Sequence, residues 1–143
     1  MNVRLKVMNL IEKYNTTSPY KIAQKIGIHV LYAELGETKG FYKKILKRKY
    51  IFINVNLNDF EKKLVCAHEL GHAILHASRK FEFLLETTNI YKQSKIEDEA
   101  NEFASWLIFG EDNDIENNQE LQQVKINLIN SLAIENIINI RKK

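Results

Sequence analysis

The run Ala67-His68-Glu69-Leu70-Gly71-His72-Ala73-Ile74-Leu75-His76 decides both the fold and the chemistry of this 143-residue chain. Asn58 or Asp59 can cap a helix just upstream of it. Phe60, Leu64, Ala67, Leu70 or Gly71, and Leu75 then recur at helical spacing, so one helix is expected to about Ser78. On that helix His68 and His72 lie about 40° apart on one face, one turn above the other, so both imidazoles can reach one ion. Glu69 projects about 100° away from His68 on the same turn, where it can deprotonate a water without being a ligand. This is the H-E-x-x-H arrangement of zinc metalloproteases. Gly71 costs about 1 kcal/mol in mid-helix relative to Ala, which makes sense if another backbone or a substrate approaches there.

A catalytic zinc needs a third protein ligand and an open position. Downstream, Ser94 is expected to open a helix through Ile96, Ala100, Phe103, Ala104 and Leu107, and it offers Glu97, Asp98 and Glu99. Glu97 shares a face with Asn101, so Glu97 can bind the metal while Asn101 orients a ligand histidine from behind. Glu99, on the face of Phe103, is the rival ligand. A plain alternative for Glu97 is a capping box with Ser94. His76 lies about 6 Å along the axis from His72, too far to share the ion, so packing or hydrogen bonding is its expected role.

Upstream, Val3, Val7, Leu10, Ile11 and Tyr14 predict an amphipathic helix over about 2–14. Ser18-Pro19 caps a second, short helix that stops at Gly27. The period then changes to two. Ile28, Val30 and Tyr32 face one way and His29 and Leu31 the other, and Phe41–Leu46 and Tyr50–Val55 form a hairpin turning at 47–49. Fold class is therefore α+β: a small, mostly antiparallel sheet of about three strands packed against helices, with strand 50–55 one candidate for an exposed edge that holds extended substrate. An acidic, Asn-rich loop over 111–118 separates this core, about 18–109, from a C-terminal helical segment over about 119–142. Together they are read as one domain.

A hydrophobic fraction of 45% suits a soluble globular domain, and a net charge of +3 is too small to argue for nucleic acid. The basic hairpin, Lys43, Lys44, Lys47, Arg48 and Lys49, reads first as a solvated tip that protects a strand edge. No apolar run reaches bilayer length, the N-terminus lacks a signal-peptide pattern, and the lone Cys66 excludes a disulfide framework. A cytoplasmic setting is expected, with no membrane and no direct nucleic-acid partner.

Taken together, Ser18-Pro19 with Ile22-Ala23 and Gly27-Ile28, Gly40 before a strand, Ile51-Phe52-Ile53-Asn54, the His68–His72 motif, and Glu97-x-x-Ala100-Asn101-x-Phe103-Ala104 resemble the ImmA/IrrE-type metallopeptidases of phage, mobile elements and bacterial stress responses. The resemblance implies a thermolysin-like zincin layout. One zinc would be held by His68, His72 and Glu97, with Glu69 as general base and Asn101 supporting a ligand histidine. It also favours Glu97 over Glu99. The implied substrate is a helix-turn-helix repressor, carried on a separate chain. Family members commonly continue into Leu-Leu-Met-Pro, where this chain has Leu107-Ile108-Phe109-Gly110. The alternative to a peptidase is a metal-stabilised binding protein that sequesters a regulatory partner without cutting it. Manganese or iron could also occupy a His-His-Glu site. Tyr42, Tyr91 and His76 are candidates for stabilising the oxyanion.

Overall fold

Local signals set most element ends. In the computed structural model, which describes residues 1–76 and 90–110 (side chains from 95 onward in the second segment), Asn2 caps α1 (Val3–Tyr14) by accepting the Leu5 N–H at 3.0 Å. Ser18 does the same for α2 (Pro19–Lys25), accepting from Lys21 at 3.3 Å with Pro19 in the first helical position. Gly27, at φ 83°, then turns the chain into β1 (Ile28–Ala33). β2 (Gly40–Ile45) and β3 (Arg48–Asn54) form the expected hairpin. Its turn is tighter than predicted, because Leu46 and Lys47 both take positive φ and close a two-residue connection.

The strand order is β1-β3-β2, and the sheet is mixed: β2 runs antiparallel to β3 while β1 runs parallel to it. Strand 50–55 is therefore the centre of the sheet and not an edge, correcting that expectation. A parallel pairing needs a connection of about a dozen residues, which the loop, β2 and the turn together supply between β1 and β3. Period-two patterning identifies strands but carries no information on which neighbours they choose. Asn54 holds the β1–β2 loop in place, its Nδ2 donating to the carbonyls of Gly36 and Thr38 at 3.0 Å each.

Asn58 caps α3 (Asp59–Leu75), its Oδ1 accepting the Glu61 N–H at 2.8 Å. From Leu64 to Gly71 every residue of α3 is buried, so the helix runs through the middle of the domain. It packs against α2, β2, β3 and α4 (Ile90–Phe109), while α1 lies against α4. Ile51 and Ile53 of the sheet meet Leu64, Val65, Ala67 and Leu70 of α3 and Phe103, Ala104 and Leu107 of α4 in one core. Gly40 lets β2 approach α3 closely: a Cβ there would lie 2.7 Å from the Phe52 carbonyl oxygen and collide with Val65. α4 begins at Ile90, four residues before Ser94, so Ser94 is inside the helix and the capping-box reading of Glu97 fails. Gly110 ends α4 at φ 62°, donating its N–H to the Trp106 carbonyl at 2.9 Å. The acidic loop, the C-terminal helical segment over about 119–142 and the side chain of Tyr91 lie outside the described residues. No described helix is long and apolar enough to cross a membrane.

Candidate metal centre

α3 and α4 bring three ligand atoms together. His68 and His72, a turn apart on α3, point their Nε2 atoms at each other across 3.2 Å. Glu97 of α4 completes the triangle, with Oε2 at 2.9 Å from His68 Nε2 and Oε1 at 3.0 Å from His72 Nε2. His68 and Glu97 are buried, and His72 is partly so.

The donor set fits a metal ion on several grounds. Tetrahedral zinc with ligands near 2 Å has ligand–ligand edges of roughly 3.3 Å, close to the three separations here. Glu97 Oε2 is buried without a hydrogen bond, although it sits 2.9 Å from His68 Nε2. Nδ1 of His68 donates to Asn101 Oδ1 at 2.8 Å, leaving the Nε2 lone pair facing the cluster. Three acceptors buried together without a cation between them would be strongly disfavoured.

The titration of the cluster expresses the same demand. Burial alone would depress the His68 imidazolium, but Glu97, with smaller help from Glu69 and Asn101, raises it to about 9. Burial pushes the Glu97 carboxyl up, yet His72 and His68 outweigh it and hold Glu97 below the ordinary carboxylate range. The protein by itself thus retains positive charge where the three ligand atoms meet.

Glu69 is buried beside the cluster at 4% exposure. Burial raises its carboxyl above the usual range; His68, His72 and a backbone hydrogen bond from Tyr42 pull it down without cancelling that rise. A carboxylate poised this way is suited to taking and returning a proton. The Tyr42 contact also puts edge strand β2 against the site, a relation no local pattern in the sequence announces.

His68, Glu69, His72, Glu97 and Asn101 lie at this junction, whereas Glu99 is displaced from the triangle and faces His76, Oε1 to Nε2, at 3.7 Å. His76 is buried at the end of α3, and its Nδ1 lies 3.0 Å from Nδ1 of His72. Burial, and then neighbouring His72, push its imidazolium down to about 3. His76 lies outside the group formed by His68, His72 and Glu97. The same i, i+4 spacing on one helix face was the available signal for its contact with His72. Gly71 accommodates neither a backbone nor a substrate: a Cβ there would lie 3.1 Å from three atoms of the Phe103 side chain on α4.

The model of the IrrE N-terminal-like domain peptidase family matches residues 23–136. The chain belongs to that family. It is 45% identical over 107 residues to "Uncharacterized immunity region protein 2" of Bacillus phage phi105, covering 74% of this chain and 67% of that protein. It is 30% identical over 106 residues to "Metallopeptidase ImmA" of Bacillus subtilis (strain 168), covering 74% of this chain and 62% of ImmA. The chain thus spans about two thirds of the length of these curated relatives. No solved structure gives a significant match. A metallopeptidase family and a buried His-His-Glu cluster agree in calling for a bound metal.

Proposed function

We propose that this protein is a zinc-dependent endopeptidase, with His68, His72 and Glu97 as metal ligands and Glu69 as the general base. The convergence of those three ligand atoms beside a buried, proton-hungry Glu69 carries the reading. When bound, zinc would supply Lewis acidity, polarising a scissile carbonyl and making a water easier to deprotonate. Glu69 takes the proton from the attacking water and delivers it to the leaving amine. Asn101 keeps His68 in the tautomer that presents Nε2. An extended substrate backbone adds to the outer edge of β2, the edge strand that reaches Glu69 through Tyr42.

The substrate we assign is a helix-turn-helix repressor of a phage or mobile element, acted on in the cytoplasm. The family resemblance and the immunity-region name of the phage relative support that assignment. Two measurements test it: metal content by mass spectrometry, and cleavage of a purified helix-turn-helix phage repressor. We expect one zinc per chain, lost in His68→Ala and Glu97→Gln, and cleavage lost in Glu69→Gln while zinc is kept. A Glu69→Gln variant with its full biological effect would instead select the non-catalytic, metal-stabilised binding protein. Retention of zinc in Glu97→Gln would move the third ligand elsewhere.

A further inference from the structure

We infer that His76 is a positioning residue for the metal centre, accepting the Nδ1–H of His72 and itself oriented by Glu99. The inference rests on the metal-site reading above and extends it to the second histidine ligand.

A histidine that offers Nε2 to an ion must carry its proton on Nδ1, and that proton needs an acceptor when the ring is inside the protein. For His68 the acceptor is Asn101 Oδ1 at 2.8 Å. At His72 the atom in that position is Nδ1 of His76, at 3.0 Å. Two ring nitrogens at this distance bond only if one carries the hydrogen and the other a lone pair. Since His72 must keep its Nε2 lone pair for the cluster, His72 is the donor and His76 Nδ1 the acceptor. The proton of a neutral His76 then resides on Nε2, which faces Glu99 Oε1 at 3.7 Å. That distance exceeds a direct hydrogen bond, but a carboxylate opposite Nε2–H still favours this tautomer over its alternative. The hydrogen bond therefore runs one way, from His72 to His76, with the Glu99 carboxylate facing the far nitrogen of His76.

Geometry supports a specific role over mere filling of space. His76 is the last residue of the stripe His68, His72, His76, and it caps α3 with its N–H on the His72 carbonyl at 2.8 Å. Backbone and side chain of the same residue thus grip the same ligand. Glu99 lies on α4 two residues from Glu97, so α4 supplies a carboxylate to each end of the stripe.

The test compares zinc affinity, by competition with a chromophoric chelator, in wild type, His76→Leu, His76→Asn and Glu99→Leu. Imidazole tautomers are read by long-range ¹H–¹⁵N NMR of the zinc-loaded protein. His76→Leu deletes the acceptor and should weaken zinc binding by about 10- to 100-fold. His76→Asn puts an amide oxygen near the Nδ1 position and should recover most of that loss, although it fills the cavity less well than Leu. In wild type, His72 should be protonated on Nδ1 and His76 on Nε2, and Glu99→Leu should shift His76 towards a mixture. Wild-type affinity in His76→Leu, equal losses in the Leu and Asn variants, or a His76 proton on Nδ1 would each overturn the assignment. Failure of the wild-type protein to bind zinc at all would instead remove the metal-site reading on which it rests.

Discussion

Replacing Gly71 with Ala sets two effects of known size against each other at the centre of the molecule. Helix propensity alone stabilises the variant by about 1 kcal/mol. Against this, the new methyl would sit 3.1 Å from Cβ, Cγ and Cδ1 of Phe103. Carbon pairs are most favourable at roughly 3.5–4.0 Å, so three contacts are compressed together. Phe103 is fully buried, and because its Cβ is among the atoms struck, no side-chain rotation relieves the contact. Either α4 moves away from α3 or the strain stays. Overpacking of this kind costs about 1–3 kcal/mol, leaving a net change from near zero to roughly 2 kcal/mol destabilising. Because α4 carries Glu97 and Asn101, a shift of a few tenths of an ångström also spoils ligand geometry that tolerates only about 0.2 Å. Urea unfolding in the presence of chelator measures the first effect, and zinc competition the second. A Gly71→Ala protein that is about 1 kcal/mol more stable with unchanged zinc affinity would refute the reasoning. It would mean that Phe103 yields and that Gly71 does not set the α3–α4 separation.

Zinc uptake at pH 7 should release about one proton, because the His68 imidazolium titrates near 9 and its proton must leave before Nε2 can bind. Calorimetry in buffers of different ionisation enthalpy measures that number, and a value near zero would contradict the raised His68. The same shift makes the metal-free fold lose a contribution to stability as pH rises from 6.5 through about 9, whereas zinc binding tightens over that range. Burial raises the Cys66 thiol from 9.0 to about 12, so its neutral form stabilises the fold below pH 9. That contribution falls by about 1.4 kcal/mol per pH unit between 9 and 12, and Cys66→Ala should flatten this alkaline slope in denaturation curves. Lys44→Pro removes a backbone N–H that, by strand alternation from Tyr42, faces outward from β2. Slower cleavage of the proposed repressor substrate with zinc affinity intact is expected, and an unchanged rate would exclude edge pairing with substrate.

Much of this architecture was decided by short-range chemistry. Asn2, Ser18 and Asn58 cap their helices because each side chain reaches an N–H three residues on, a relation contained entirely in the local sequence. His68 and His72 share an ion-sized space because helical pitch places residues four apart on one face whatever surrounds them. The buried face of α4, with Ile96, Ala100, Phe103, Ala104 and Leu107, follows from the same periodicity.

Long-range choices were left to the tertiary fold. Glu97 and Glu99 are two residues apart on α4, about 200° around the helix, and only the rotation of α4 against α3 brings Glu97 to the histidines and leaves Glu99 beside His76. The start of α4 at Ile90 overrode the capping signal at Ser94, since a helix held by packing need not begin at the first available cap. Strand order behaved likewise. Alternation is a property of one strand, whereas placing β3 between β1 and β2 depends on which edges the connecting segments can reach. Sequence alone therefore determined the helices, the strands and the histidine pair, all governed by contacts within a few residues. The ligand carboxylate and the strand beside Glu69 were settled by packing between elements distant in the chain, where residue spacing carries no geometric constraint.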